Sequence, residues 1–288
     1  MKPNLELDFG FYPCELDIVQ GPVTISTLPN FSESRKRIKE CPSVQNGWIY
    51  QRNGRVFSLP KTHSIEHSST DDPEHLKFHI WALSFFTGMR LTTEDAGFLD
   101  TTPVEKGKLV DFVLLGNTET GVKLAENFWA CNQTRGGQKQ TDRFCAAVHS
   151  LFVSQNPQHL QFERFIYLYI AFDACFAILR EEKQQTKQKP SHAERLKWMC
   201  KYFDIPVPAW AEGETPQVAA LRNDAIHEGL FVGQPLGLAM EGDESGWNLT
   251  LEMTALACRF LVGILGVPDK NYLKSPINDR QRRGLHLT

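Results

Sequence analysis

"LQFERFIYLYIAFDACFAILREE", residues 160–182, decides the fold class of this chain. It is long and apolar on most of its faces, the pattern of a helix at the centre of a bundle. From about residue 122 onward every other periodic segment is helical too. "VKLAENFWACN" opens the series and "TDRFCAAVHSLFVS" continues it. "SHAERLKWMCKYF" begins with Ser191 and Glu194 at the spacing of a capping box and turns Leu196, Met199 and Phe203 inward. The next helix takes Thr215 as its N-cap, Pro216 at its first position and Gly229 just past its end. The last, "NLTLEMTALACRFLVGILG", stops at Gly266 with Pro268 beyond it.

The preceding half reads differently. Val19, Val23 and Ile25 stand among turn formers, and "GWIYQRNGRVFSLP" sets Asn53-Gly54 between two β-rich runs, the chemistry of a type I′ hairpin. One helix, started by Asp72-Pro73 and stopped by Gly88, packs Leu76, Ile80, Leu83 and Phe86 on the sheet. "GKLVDFVLLG" supplies a last strand. The expectation is an α+β chain, with a β-rich N-terminal domain over 1–121 and an all-α domain over 122–288 that ends in a basic tail carrying Arg280, Arg282 and Arg283.

Composition narrows the function classes. With 41% apolar residues and a formal net charge of −3, the chain can build a core and lacks the global basic field of a dedicated duplex binder. The cysteines are scattered singly with no C-x-x-C pair, which implies reduced thiols in the cytoplasm. "MKPNLELDFG" has no apolar signal region, and the longest apolar run is short for a bilayer and carries Asp173, so no membrane association is expected.

One turn concentrates chemistry. In "ALRNDAIHEG", residues 220–229, Arg222, Asn223 and His227 interrupt an ordinary helical pattern. At about 100° per residue Asn223 and His227 share a face, while Arg222 lies about 140° round from His227 and must reach to meet it. The helix dipole and Asp224 favour an imidazolium at His227. A guanidinium that grips phosphate, an amide that orients a sugar hydroxyl and a titrating imidazole are the parts needed to cleave RNA without a metal. The bland alternative is a surface pairing of Arg222 with Asp224, with His227 a dipole partner.

"RNDAIH", an R-N-x3-H on a late helix of a helical half, resembles the signature of the HEPN ribonucleases. The resemblance covers roughly residues 122–267, and the β-rich half resembles the N-terminal regions of the ApeA-like branch, linked to phage defence. It implies an endoribonuclease in a defence or toxin system, with Arg222, Asn223 and His227 as catalytic residues, RNA as substrate, no cofactor and no metal. It also implies a homodimer, because one bundle supplies half a cleft, and leaves the N-terminal domain to an effector or partner. A non-catalytic module that binds nucleotide, RNA or protein and dimerises is the alternative.

Two further features compete for a role. Asp173 stands on the stripe Phe162, Ile166, Tyr169, Asp173, Phe176, where a carboxylate needs a partner, and is expected to orient Arg222 or His227. "THSIEHSSTDDPEHLKFH" holds His63, His67, His75 and His79, and spacings of four on a helix can hold zinc. Ser68, Ser69 and Pro73 place His63 and His67 in a loop, however, so solvated histidines are expected, with a zinc hydrolase as the competing reading. The run "ESRKRIKE" reads as a solvated helix face.

Overall fold

The computed structural model describes residues 5–50, 59–93, 101–133, 137–182, 190–212, 217–236, 245–278 and 281–287. Strands dominate the first part of the chain and helices the second, a mixed α/β architecture. The chain forms two compact units, one of residues 1–110, 114–131 and 287–288, the other of 111–113 and 132–286. The division expected at 121/122 falls inside a helix whose residues as far as Cys131 group with the first unit. Among the described residues no helix is long and apolar enough to cross a membrane. All seven cysteines are free thiols.

In the first part run β1 (Leu5–Gly10), β2 (Ile18–Gln20), β3 (Val23–Thr27), α1 (Phe31–Lys39), β4 (Val44–Gln45), β5 (Trp48–Tyr50), β6 (Lys61–His67), α2 (Pro73–Thr87), β7 (Thr101–Pro103), β8 (Phe112–Gly116) and α3 (Thr118–Gln133). An antiparallel sheet in the order β1-β6-β3-β2 carries the core. β6 is its centre: Ile65 lies opposite Leu7 on one side and Ile25 on the other, and His67 opposite Leu5 and Val23. Because strand side chains alternate, His63, Ile65 and His67 share a face. Leu76, Ile80 and Leu83 of α2 join Phe9, Val23, Ile25 and Ile65 in one buried apolar cluster.

The signals that bound α2 act as their chemistry dictates. Asp72 accepts a hydrogen bond from the Glu74 amide, and Pro73 occupies the first helical position, where its missing N–H goes unneeded. Gly88 ends the helix at φ +61°, and a Cβ there would stand 2.7 Å from the Gly107 Cα. The charged run reads correctly as well, since α1 buries Phe31, Ser34 and Ile38 and exposes most of the rest. The hairpin expected at Asn53-Gly54 lies outside the described residues. The same chemistry operates nearby: Asn46-Gly47, at φ +50° and +80°, joins β4 to β5 with Gln45 opposite Trp48.

The second part contains α4 (Gln138–Ser154), α5 (Gln161–Glu182), α6 (His192–Tyr202), α7 (Gln217–Asn223), the short strands β9 (Leu230–Phe231) and β10 (Gln234–Pro235), α8 (Ser245–Ile264), α9 (Lys270–Lys274) and β11 (Arg283–Leu287). The quoted stretch is α5. Its Phe165, Leu168, Phe172, Cys175 and Leu179 are buried, and Phe172 meets Phe260 of α8 edge-on at 5.7 Å. The capping box at Ser191 and Glu194 is present in full. The Thr215 and Pro216 signals lie outside the described residues. The basic end of the chain departs from expectation: it does not trail off but forms β11, burying Leu285 and Leu287. Those two apolar residues, alternating with exposed His286, outweigh the arginines.

The helical unit also buries a charge. The Arg259 side chain is fully enclosed and donates to Asp111 Oδ2 at 2.8 Å, Ala255 O at 2.7 Å, Ser275 Oγ at 2.8 Å and Pro276 O at 3.2 Å. The Tyr272 hydroxyl donates to the other Asp111 oxygen. Removing one partner of such a pair leaves the other uncompensated, at a cost of about 3–5 kcal/mol. Arg259→Met should therefore lower stability by about 3 kcal/mol or more in urea unfolding followed by circular dichroism, whereas a loss under about 1 kcal/mol would show that the pair is dispensable.

Candidate functional site

The motif residues converge by a route that regular helical spacing does not provide. After α7 the chain changes to π-helical winding over Asp224–Glu228, and Gly229 closes it at φ +67° with its amide bonded to the Asp224 carbonyl. A π-turn is closed by i→i+5 bonds and takes more residues per turn, so it narrows the angle of about 140° that an α-helix leaves between residues five apart. Arg222 and His227 are five apart. The Arg222 Nη1 lies 3.5 Å from His227 Nε2 and donates to Asn223 Oδ1 at 3.0 Å. Asn223 and His227 are exposed and Arg222 is half-buried, while Val218, Leu221 and Ala225 anchor the turn in the core. All three predicted residues are thus brought together on an open surface.

Asp173 is placed otherwise than expected. Its carboxylate is 40% exposed and accepts from Arg195 Nη1 at 2.7 Å, so Arg195 of α6 takes the position assigned to Arg222 or His227. His192 Nδ1 lies 3.8 Å from the same carboxylate oxygen, 3.3 Å from Arg195 Nη1 and 2.9 Å from the Tyr169 hydroxyl. Burial, and then the Asp173 charge, push the Tyr169 phenol up to about 12, against the opposing pull of Arg195 and Arg222. Burial lowers His192, with Arg195 and Arg222 adding to the effect and Asp173 opposing it. The field of Arg222 therefore reaches both groups. Around the motif stand one further guanidinium, that of Arg195, a carboxylate, an imidazole pushed below its ordinary value and a phenol pushed above its own.

Sequence reasoning missed Tyr169, His192 and Arg195. A usable signal existed in "SHAERLKWMC": His192 and Arg195, three apart, share a face of α6, while the inward residues begin at Leu196.

The histidine-rich segment requires a correction. His67 does not lie in a loop; it ends β6, and His75 and His79 sit four apart on α2. All three are nearly fully buried. The turn signals of Ser68 and Ser69 act only after the strand has ended. His75 Nε2 and His79 Nε2 each lie 2.9 Å from Glu126 Oε2 of α3, and His67 Nε2 lies 3.6 Å from it. One ligating atom from each of the four falls within 4.8 Å of the others. Burial pushes His67 and His79 below the ordinary imidazole value. Burial works against the charge of Glu126, but hydrogen bonds from His75 and His79 prevail and hold its carboxyl well below the usual range. His63 is buried separately, bonded to Thr62 Oγ1 and stacked on Phe9. Burial lowers it to about 4.

Compared with models of protein families, with curated proteins and with solved structures, the chain matches none.

The cluster around Asp173 predicts a titration. Replacing Asp173 with Asn removes a charge that raises both neighbours, so the Tyr169 phenol should titrate below its parent value of about 12 and His192 should fall further. Carbon-13 spectra of labelled tyrosine and histidine would show both; unchanged curves would mean that Asp173 does not act on this cluster.

Proposed function

We propose that the chain is a metal-independent endoribonuclease of HEPN type, with Arg222, Asn223 and His227 as its catalytic residues. The observation that carries the reading is the adjacency of the Arg222 guanidinium and the His227 imidazole at an open surface, created by the π-turn. In this reading a scissile phosphate lies against Arg222, and the ribose 2′-hydroxyl attacks it. His227 accepts the hydroxyl proton or protonates the departing 5′-oxygen, and Arg222 offsets charge on the phosphorane. Asn223 orients the sugar or the phosphate. The products are a cyclic phosphate end and a free 5′-hydroxyl.

Arg195 and the neutral His192 support the reading as further donors near the path of a phosphate chain. A homodimer belongs to it, since one bundle supplies half of the cleft. Ile226, 51% exposed within the motif turn, and the exposed Leu230 beside it offer an apolar contact for a second copy. The β-rich part would receive an effector or partner, and a defence or toxin role follows from the resemblance.

The test is incubation of the full chain with mixed RNA in the presence of EDTA, with end-group analysis of the fragments. Cleavage leaving cyclic phosphate ends is expected. His227→Ala should lower the rate by about 10²- to 10⁴-fold while preserving the melting temperature, the range for loss of a general acid or base. RNA bound without cleavage by the parent protein would favour the non-catalytic binding module instead, and equal cleavage by parent and His227→Ala would remove the site.

A further inference from the structure

We propose that His67, His75, His79 and Glu126 form a structural zinc site in the β-rich unit, each imidazole ligating through Nε2 and the carboxylate through one oxygen. The four residues belong to β6, α2 and α3 of that one unit, and the proposal is independent of the nuclease reading.

Hydrogen bonding alone leaves this arrangement incomplete. Glu126 Oε2 can accept from His75 and His79, both at 2.9 Å, which uses the two lone pairs of that oxygen. His67 Nε2 points at the same oxygen from 3.6 Å and is buried without a hydrogen-bond partner. An unsatisfied buried group of this kind is costly, and a cation at the common focus satisfies all three nitrogens together. Tetrahedral zinc with bonds of 2.0–2.2 Å holds its donors about 3.4 Å apart, and the three nitrogen-to-oxygen separations of 2.9, 2.9 and 3.6 Å bracket that distance.

The donor chemistry selects the metal. Three imidazoles and one carboxylate suit zinc among the divalent ions, and a hard-ion site would draw mainly on oxygen. The walls are fixed by packing. His75 lies flat against Trp129 at 4.2 Å with 7° between planes, and the Phe78 ring meets His79 edge-on at 6.2 Å. His67 Nδ1 is held by Ser69, 3.3 Å from its amide nitrogen and 3.5 Å from its hydroxyl, which orients the ring. Four protein donors complete the tetrahedron, so the ion pins a strand to two helices and leaves no position for substrate.

The decisive measurement is elemental analysis of untagged full-length protein, followed by cobalt substitution. One zinc per chain is expected, and the cobalt form should show the visible bands of a tetrahedral nitrogen–oxygen site. Glu126→Gln, which keeps the side-chain shape, should bind zinc on the order of 100-fold or more weakly, as even loss of an outer partner can reach 100-fold. Its circular dichroism in excess zinc shows whether it folds, and the parent's metal content and cobalt spectrum stand without any variant. The proposal is overturned if the parent protein holds no stoichiometric zinc and none raises its melting temperature. It is also overturned if another metal fills the site in preference to zinc, or if Glu126→Gln and His79→Ala retain zinc with parental affinity.

Discussion

A buried polar group without a partner costs more than most single contacts return, and the interior of each compact unit is arranged around that constraint. In the β-rich unit three imidazoles enter the interior from β6 and α2, and Glu126 of α3 is the group on which they close. In the helical unit Arg259 is enclosed completely, and Asp111, a backbone carbonyl on its own helix and the segment after α9 surround its guanidinium. Apolar burial makes both interiors possible, but these polar centres decide which elements must be neighbours. A sheet could slide on a helix through many apolar packings; an imidazole that must meet one carboxylate oxygen cannot.

The candidate site in the helical unit obeys the opposite rule. Its groups are exposed or half-exposed, so none needs the others for stability, and what assembles them is backbone winding. A regular helix through residue 228 would leave Arg222 and His227 about 140° apart; the π-turn narrows that angle, and Gly229 ends it before the next strand begins. Local departures of this kind recur at functional positions because they place side chains where a straight ladder cannot. Asp173, Arg195, His192 and Tyr169 form a second tier on α5 and α6, in which the carboxylate anchors Arg195 rather than a residue of the motif.

The two centres differ in chemistry as well as in exposure. One is a set of three buried imidazoles and a single, partly exposed carboxylate, suited to holding an ion in place. The other is an open set rich in cations, suited to meeting an anion that arrives from solution. The three imidazoles of the first are nearly fully buried, whereas the motif residues of the second are exposed or half-buried.

What the sequence by itself determined was local. Asp72, Pro73 and Gly88 bound α2, Ser191 and Glu194 cap α6, and the apolar run of α5 makes it the buried helix; each signal acts on backbone groups within a few residues. The grouping of Arg222, Asn223 and His227 was visible as spacing, although the winding that completes it was not. Only the tertiary structure decided that His67 faces inward with His75 and His79, that Glu126 receives them, that Asp173 pairs with Arg195, and that the C-terminal residues form a strand. Those outcomes depend on which surfaces meet across tens of residues. Turn formers at Ser68 and Ser69, or arginines near the end of the chain, carry no record of the partner that overrides them.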